Sequence, residues 1–190
     1  MKTLSLMLTS AVLISSTAFA GQGHIVTQFT GMHSVVRASK GADKLKISSN
    51  VVAAGFGYEY EVNNNFSLTP MVHLGSEIGD AQVKVNNVNA EKAVQASIPY
   101  YYSASLRAKV MFSDALFGFA QYDYVNQKTK VKIDDGVGQP QQSDDHHKFG
   151  LYSAGLGFKV NDTWSLDAVY GLSSSKDHAH RIGLDITHSF

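Results

Sequence analysis

The stretch Tyr152-Ser153-Ala154-Gly155-Leu156-Gly157-Phe158-Lys159-Val160-Asn161-Asp162-Thr163-Trp164-Ser165-Leu166-Asp167-Ala168-Val169-Tyr170-Gly171-Leu172 decides the fold. On both sides of Asn161-Asp162-Thr163 the even positions are apolar or aromatic, while most odd ones are small or charged. Successive side chains of a strand point to opposite faces, so this period of two predicts two strands. The polar triplet between them has the chemistry of a tight hairpin turn.

The same frame extends outward over most of the chain. Even positions of seven strand cores (52–62, 66–78, 100–112, 116–124, 152–160, 164–172 and 182–190) contain no Asp, Glu, Lys or Arg. The odd positions between them carry Glu59, Glu61, Glu77, Arg107, Lys109, Asp123, Lys159, Asp167 and Asp185. Eight strands are expected, at about 23–36, 49–62, 66–79, 95–112, 116–132, 147–160, 163–173 and 180–190. Asn63-Asn64-Asn65 and Ser113-Asp114-Ala115 are two more short turns, whereas the connections 37–48, 80–94, 133–146 and 174–179 are mostly longer and polar. Short turns at one end and long loops at the other suit a membrane barrel with its turns in the periplasm.

Composition narrows the classes. The 190 residues hold 16 basic and 16 acidic side chains, which excludes a strongly basic nucleic-acid binder. There is no cysteine, hence neither a disulfide framework nor a thiolate site. Residues 1–20 read as a secretory signal, with Lys2 before the apolar run Leu4 to Ile14 and Ala18-Phe19-Ala20 as the cleavage site. Residues 21–190 are then one barrel domain. Beyond the signal no run of 18 apolar residues occurs, so helical spans are excluded.

Period two alone does not say which face looks inward. A soluble barrel would place its apolar face inside, so other features must orient the wall. The charged face is rich in small residues (Gly55, Gly57, Ser103, Ser105, Gly155, Gly157), which suits a narrow polar lumen. Phe112, Phe158, Trp164 and Phe190 gather near one end of the apolar face, with Tyr100, Tyr102, Tyr122, Tyr124 and Tyr152 higher, as membrane girdles do. In hydrocarbon an unpaired amide costs several kcal/mol, so the sheet must close on itself. The expectation is an all-β, eight-stranded antiparallel up-and-down transmembrane barrel in the bacterial outer membrane.

The final segment Arg181-Ile182-Gly183-Leu184-Asp185-Ile186-Thr187-His188-Ser189-Phe190 alternates and ends on Phe. It resembles the C-terminal assembly signal of outer-membrane proteins, carried here by Ile182, Leu184, Ile186 and Phe190; the resemblance implies recognition by the barrel-assembly machinery. His188 stands where such signals usually carry an aromatic residue. Gly55-Phe56-Gly57-Tyr58-Glu59-Tyr60-Glu61-Val62-Asn63 and Tyr152 to Phe158 resemble strands two and six of the small OmpX/Ail-like barrels, and the layout is similar to the membrane domain of outer-membrane protein A. No peptidoglycan-binding domain is expected after the barrel, so the similarity to outer-membrane protein A is expected to stop at its membrane half.

Inside an eight-stranded barrel side chains nearly fill the lumen, so inward charges need partners. The predicted interior network comprises Glu59, Glu61, Glu77, Arg107, Lys109, Asp123, Lys159, Asp167, Arg181 and Asp185. The turn geometry places Arg107 diagonal to Asp123 and Lys159 diagonal to Asp167. Separately solvated interior charges are the alternative. Pro99 is expected above the membrane band, and Pro70, within a strand, predicts a bulge or local break.

On the outer rim Arg37, Lys40, Lys44 and Lys46 face only Asp43 in sequence, a candidate surface for lipopolysaccharide phosphates or acidic host glycans. Lys128, Lys130 and Lys132 can extend it. His146 and His147, after Asp144 and Asp145, and His178 and His180, beside Asp177, are candidate ligands for a zinc-like ion, with plain loop polarity as the simpler reading. The lipid A palmitoyltransferase pattern requires a helix before the first strand, for which Gly21 to His24 leave no room. The deacylase pattern requires a His-x-Ser-Asn run, and neither His188-Ser189 nor His178-Ala179-His180 supplies it. The expected protein is a non-enzymatic, cofactor-free, monomeric envelope barrel. Its partners are outer-membrane lipid, lipopolysaccharide and a host-surface ligand; the OmpX/Ail-like resemblance implies adhesion or resistance to host defence. A small porin-like pore and a lipid A-modifying enzyme are the rivals.

Overall fold

The computed structural model describes the backbone of residues 23–40, 43–79, 82–86, 93–134, 141–174 and 180–190, with side chains placed for 23–33, 47–79, 95–132, 142, 144, 146–174 and 180–190. The signal segment 1–20 lies outside the described residues. Among the described residues nine strands form: β1 (Gly23–Lys40), β2 (Asp43–Asn63), β3 (Phe66–Glu77), β4 (Gln82–Asn86), β5 (Ala93–Met111), β6 (Leu116–Asp134), β7 (Gln141–Lys159), β8 (Trp164–Ser173) and β9 (His180–Ser189). Eight of them close a ring of antiparallel neighbours in the order β1-β2-β3-β5-β6-β7-β8-β9, and β9 returns to β1 from Val26↔Ser189 to Val35↔His180. The short β4 pairs with the upper part of β2, outside that ring.

The periplasmic turns are built by their own side chains. Asn63 Oδ1 accepts from the Asn65 amide at 2.9 Å, and Asn161 Oδ1 accepts from the Thr163 and Trp164 amides at 2.9 and 2.8 Å. In the third turn the Leu116 amide donates to Ser113 Oγ at 3.1 Å. Asn and Ser in these places supply the acceptors that a reversing backbone lacks.

The uncharged face looks outward: Leu74, Leu106, Tyr152, Leu156, Tyr170, Ile182 and Leu184 are all exposed, whereas Arg107, Asp123, Asp167, Arg181 and Asp185 are buried. Phe119 and Phe117 lie inside the tube over Gly155 and Gly157, their ladder partners on β7, whose positions leave no space for a Cβ. Higher up, Met32, Val51, Ala53, Ile98, Tyr101, Val125 and Leu151 form an apolar cluster inside the tube.

One expectation is corrected, and the two prolines are resolved more finely than the sequence allows. The strands outrun their predicted upper ends: the expected loop 37–48 is mostly a hairpin with Lys40↔Asp43 as its last pair, and β6 and β7 remain paired up to Ile133↔Gln141. Above the membrane no lipid demands a clean apolar row, so the sequence pattern fades before the hydrogen-bond ladder does. At Pro70 there is a local break without a bulge. Pairing to β2 runs from Gly57↔Met71 to Tyr60↔Leu68 in one register, with Tyr58 and Glu59 unpaired opposite the missing N–H, while β5 stays in register across it. The bulge falls instead at Pro99, where the register with β6 shifts between Ser97 and Tyr100.

That bulge reverses the frame of β5. Below it odd positions face the lumen; above it Ala96 and Ile98 are buried and Gln95 and Pro99 exposed. The Ile98 amide, released from the ladder, donates to Glu77 Oε2 at 2.6 Å.

Candidate functional site

Midway along the lumen, four strands project charge toward one point. Arg107 on β5 donates from one terminal nitrogen to Asp167 Oδ2 on β8 at 2.7 Å and from the other to Asp185 Oδ2 on β9 at 2.9 Å. Its Nε donates to Gln121 Oε1 at 2.8 Å, and the guanidinium lies 4.0 Å from the Phe119 ring centroid. Arg181 reaches Asp185 at 3.2 Å and Asp123 at 3.7 Å, while Gln121 donates to Asp123 at 2.7 Å. Planar guanidinium forks suit this work because each can hold two carboxylates at once.

The predicted diagonal pairs are not the ones formed. Arg107 pairs across the tube with Asp167 and Asp185 and not with its strand neighbour Asp123. Asp167 is thereby taken by Arg107, and Lys159 lies lower, lining the periplasmic mouth. A tube of this width lets a long side chain reach the opposite wall, an option that pairwise turn geometry ignores.

Two further groups hold the remaining predicted charges. Near the periplasmic end Glu59 is paired with Lys109, accepts from Ser67 and lies 3.4 Å from His24, whose other ring nitrogen is 3.9 Å from Glu61. Glu77 meets no cation among the described contacts; it accepts from Ser49 at 2.6 Å and from the Ile98 amide. Sequence reasoning missed the neutral members of the network. Gln28 donates to Asp185 at 3.1 Å and is bonded to His73 at 2.8 Å, and His73 in turn lies 3.3 Å from Ser103. Their inward parity is the signal in the sequence, and it is faint because Gln28, His73 and Ser103 carry no formal charge to mark the face.

Below this belt a cavity of about 310 Å³ opens to the periplasm between the turns, with Arg107 among its lining residues. Above the membrane band Lys128 bonds Asp144 at 2.7 Å, which holds the Asp144 carboxyl below its ordinary range and raises the lysine. His146 is exposed beside Tyr100, His147 is half-buried, and His180 ends the β8–β9 ladder opposite Leu172. His178, Asp177 and the side chain of Asp145 lie outside the described residues. Among the described residues no group of three or more His, Cys, Asp or Glu side chains is arranged so that it could hold a metal ion.

The backbone puts Arg37 opposite Lys46 and Lys40 opposite Asp43 on the first hairpin, with Lys44 opposite Ser39; the side chains of Arg37, Lys40, Lys44 and Lys46 are outside the described set. At the other end Ile182, Leu184, Ile186 and Phe190 are exposed on the outer wall. His188 lies between Trp164 and Phe190, 4.4 Å from each ring centroid.

The geometry agrees with known barrels. The crystal structure of Ail, the attachment invasion locus protein of Yersinia pestis, superposes with a TM-score of 0.58 at 16% identity, covering 90% of this chain and 100% of that one. Its complex with the heparin analogue sucrose octasulfate gives 0.52 at 16% identity, over 90% of this chain and 100% of that one. The N-terminal β-barrel domain of Pseudomonas aeruginosa OprF gives 0.52 at 11% identity, over 89% and 100%. No curated protein matches by sequence. The family described as "Outer membrane protein beta-barrel domain" matches residues 6–189, so the chain belongs to that family and resides in the bacterial outer membrane.

Proposed function

We propose that this barrel serves the envelope as a structural wall and that its extracellular hairpins bind anionic surface ligands. The observation that carries this reading is a lumen crossed by side chains at two heights, the Arg107–Asp167–Asp185 belt and the apolar cluster around Ile98 and Val125. With that path filled, a porin-like role is disfavoured and the work moves to the outside. No substrate reaches the buried Ser103–His73 contact, so catalysis in the lumen is disfavoured too.

On the outside, Arg37, Lys40, Lys44 and Lys46 cluster on one hairpin, and Lys128 and Lys130 stand on β6. A cationic rim of this kind attracts sulfated glycans or lipopolysaccharide phosphates through charge-assisted contacts. The Ail structure with a heparin analogue makes the same ligand class reasonable here. Residues 1–20 serve as a cleaved export signal, and Ile182, Leu184, Ile186 and Phe190 guide assembly by the insertion machinery. The mature chain works as a monomer.

The test is binding of refolded protein in nanodiscs to immobilised heparin and to lipopolysaccharide. Changing Arg37, Lys40, Lys44 and Lys46 together to Ala should weaken binding at least about tenfold and flatten its salt dependence. Unchanged binding would remove the first hairpin from the proposal. Discrete conductance steps in planar bilayers would favour the pore.

A further inference from the structure

On the outer wall three polar side chains from two adjacent strands form a connected line. Ser48 Oγ lies 2.8 Å from His33 Nε2, and His33 Nδ1 lies 3.0 Å from Asn50 Oδ1. His33 and Asn50 are exposed and Ser48 is half-exposed. An amide oxygen only accepts, so Asn50 requires a proton on Nδ1. That tautomer leaves the Nε2 lone pair to accept from the Ser48 hydroxyl. The nucleophile, the base and the group that orients the base stand in the order that acyl transfer uses.

The location supplies the substrate class. The partners of His33 across the ladders are Asn50 on β2 and Ile182 on β9. Two residues nearer the periplasm on the same faces are Gly31 and the exposed Val52, and the outward apolar row continues through Phe29 and Leu184. The trio therefore stands where the apolar band ends, the depth at which the acyl esters of outer-leaflet lipids lie. Two residues above Ser48, Lys46 is in register with Arg37 on one side and Lys84 on the other, three cationic positions in one row.

We propose that Ser48, His33 and Asn50 form an acyl-ester hydrolase site on the outer wall, directed at acylated lipids of the outer leaflet. This goes beyond the structural and binding role and does not rest on it. Ser48 Oγ attacks the ester carbonyl and its proton passes to His33 Nε2. The bond to the alcohol oxygen breaks, His33 returns the proton to that oxygen, and the acyl group remains on Ser48. Water then attacks the acyl-serine and gives its proton to His33; the acyl–Oγ bond breaks, His33 passes that proton to Ser48 Oγ, and fatty acid and free Ser48 are released. Asn50 is a positioning residue that fixes the ring.

The test uses the full barrel, refolded in mixed micelles, with 4-nitrophenyl octanoate as chromogenic ester and a fluorophosphonate as covalent probe. Ester release above buffer and a phosphonylated Ser48 peptide are expected. Ser48→Ala and His33→Ala should each lower release at least about 100-fold, while Ser76→Ala on the same outer face leaves it unchanged. Asn50→Asp should retain activity and move the acidic limb of the pH profile upward, because a carboxylate favours the imidazolium. All four variants should keep the heat-modifiable gel shift of the folded barrel. Fatty-acid release from phosphatidylethanolamine vesicles against release from lipopolysaccharide distinguishes the two lipid sources. No release and no labelling in the folded wild type would overturn the proposal, as would equal release by Ser48→Ala.

Discussion

His73 and His33 are both held by a serine and by a side-chain amide, yet they occupy opposite sides of one sheet. His73 is 4% exposed, between Gln28 and Ser103 in the lumen, with Arg107 and Arg181 in the same polar belt. His33 stands on the outer wall between Ser48 and Asn50. Nearly the same hydrogen-bonding groups therefore build a strut in one place and a reactive-looking line in the other. Access separates them: a nucleophile beside a base matters chemically only where a substrate can reach it.

The comparison can be strained hardest from the lumen side. Arg107→Ala leaves Asp167 and Asp185 buried without this partner, and the expected loss is about 3–5 kcal/mol, read from urea unfolding followed by the heat-modifiable band. An unchanged midpoint would show that the interior charges act as separate hydrated groups. A sharper contrast comes from the two histidines themselves. His73→Ala strands the buried Gln28 and Ser103 and should cost about 1–3 kcal/mol, whereas His33→Ala on the surface should stay within about 0.5 kcal/mol. Equal destabilisation would mean that the outer trio is scaffold after all.

The smallest effect belongs to the exposed rim pair Lys128–Asp144. The folded carboxyl titrates below its unfolded value, so its contribution is present above the unfolded pKa and fades as pH falls through the folded one. The ammonium titrates above its unfolded value, so its contribution is complete below that value and is lost as pH rises through the folded pKa. The pair thus persists between about pH 5 and 9. Over that window, in salt that screens exposed charges, Lys128→Ala should leave the urea midpoint unmoved. A midpoint that falls measurably would assign the rim a structural role.

Parity carried most of the fold into the sequence. A strand that touches lipid on one side and a narrow tube on the other admits no charge on its outer row, so the frame of 152–172 could be followed through seven strands. What escaped obeys other rules. The ends of β1, β2, β6 and β7 lie above the lipid, where the row need not be clean. Ile98 breaks parity because the bulge at Pro99 separates it from the membrane-embedded part of β5, and the inward Val51, Val125 and Leu151 look like ordinary strand residues when only charges are followed. The outer trio was hidden by connectivity: His33 lies on β1 while Ser48 and Asn50 lie on β2, and a search for a histidine and a serine on one strand passes over a line that only the hairpin assembles.

The single extra residue at Pro99 has a consequence for how this wall changes over time. Because β5 switches its inward row there, the upper segment follows its own phase and need not stay in step with the lipid-embedded one. Insertions or losses beyond that point can reshape the cell-facing crown without turning Tyr101 or Arg107 toward the bilayer. The fixed trunk and the variable crown are thereby uncoupled within one continuous strand.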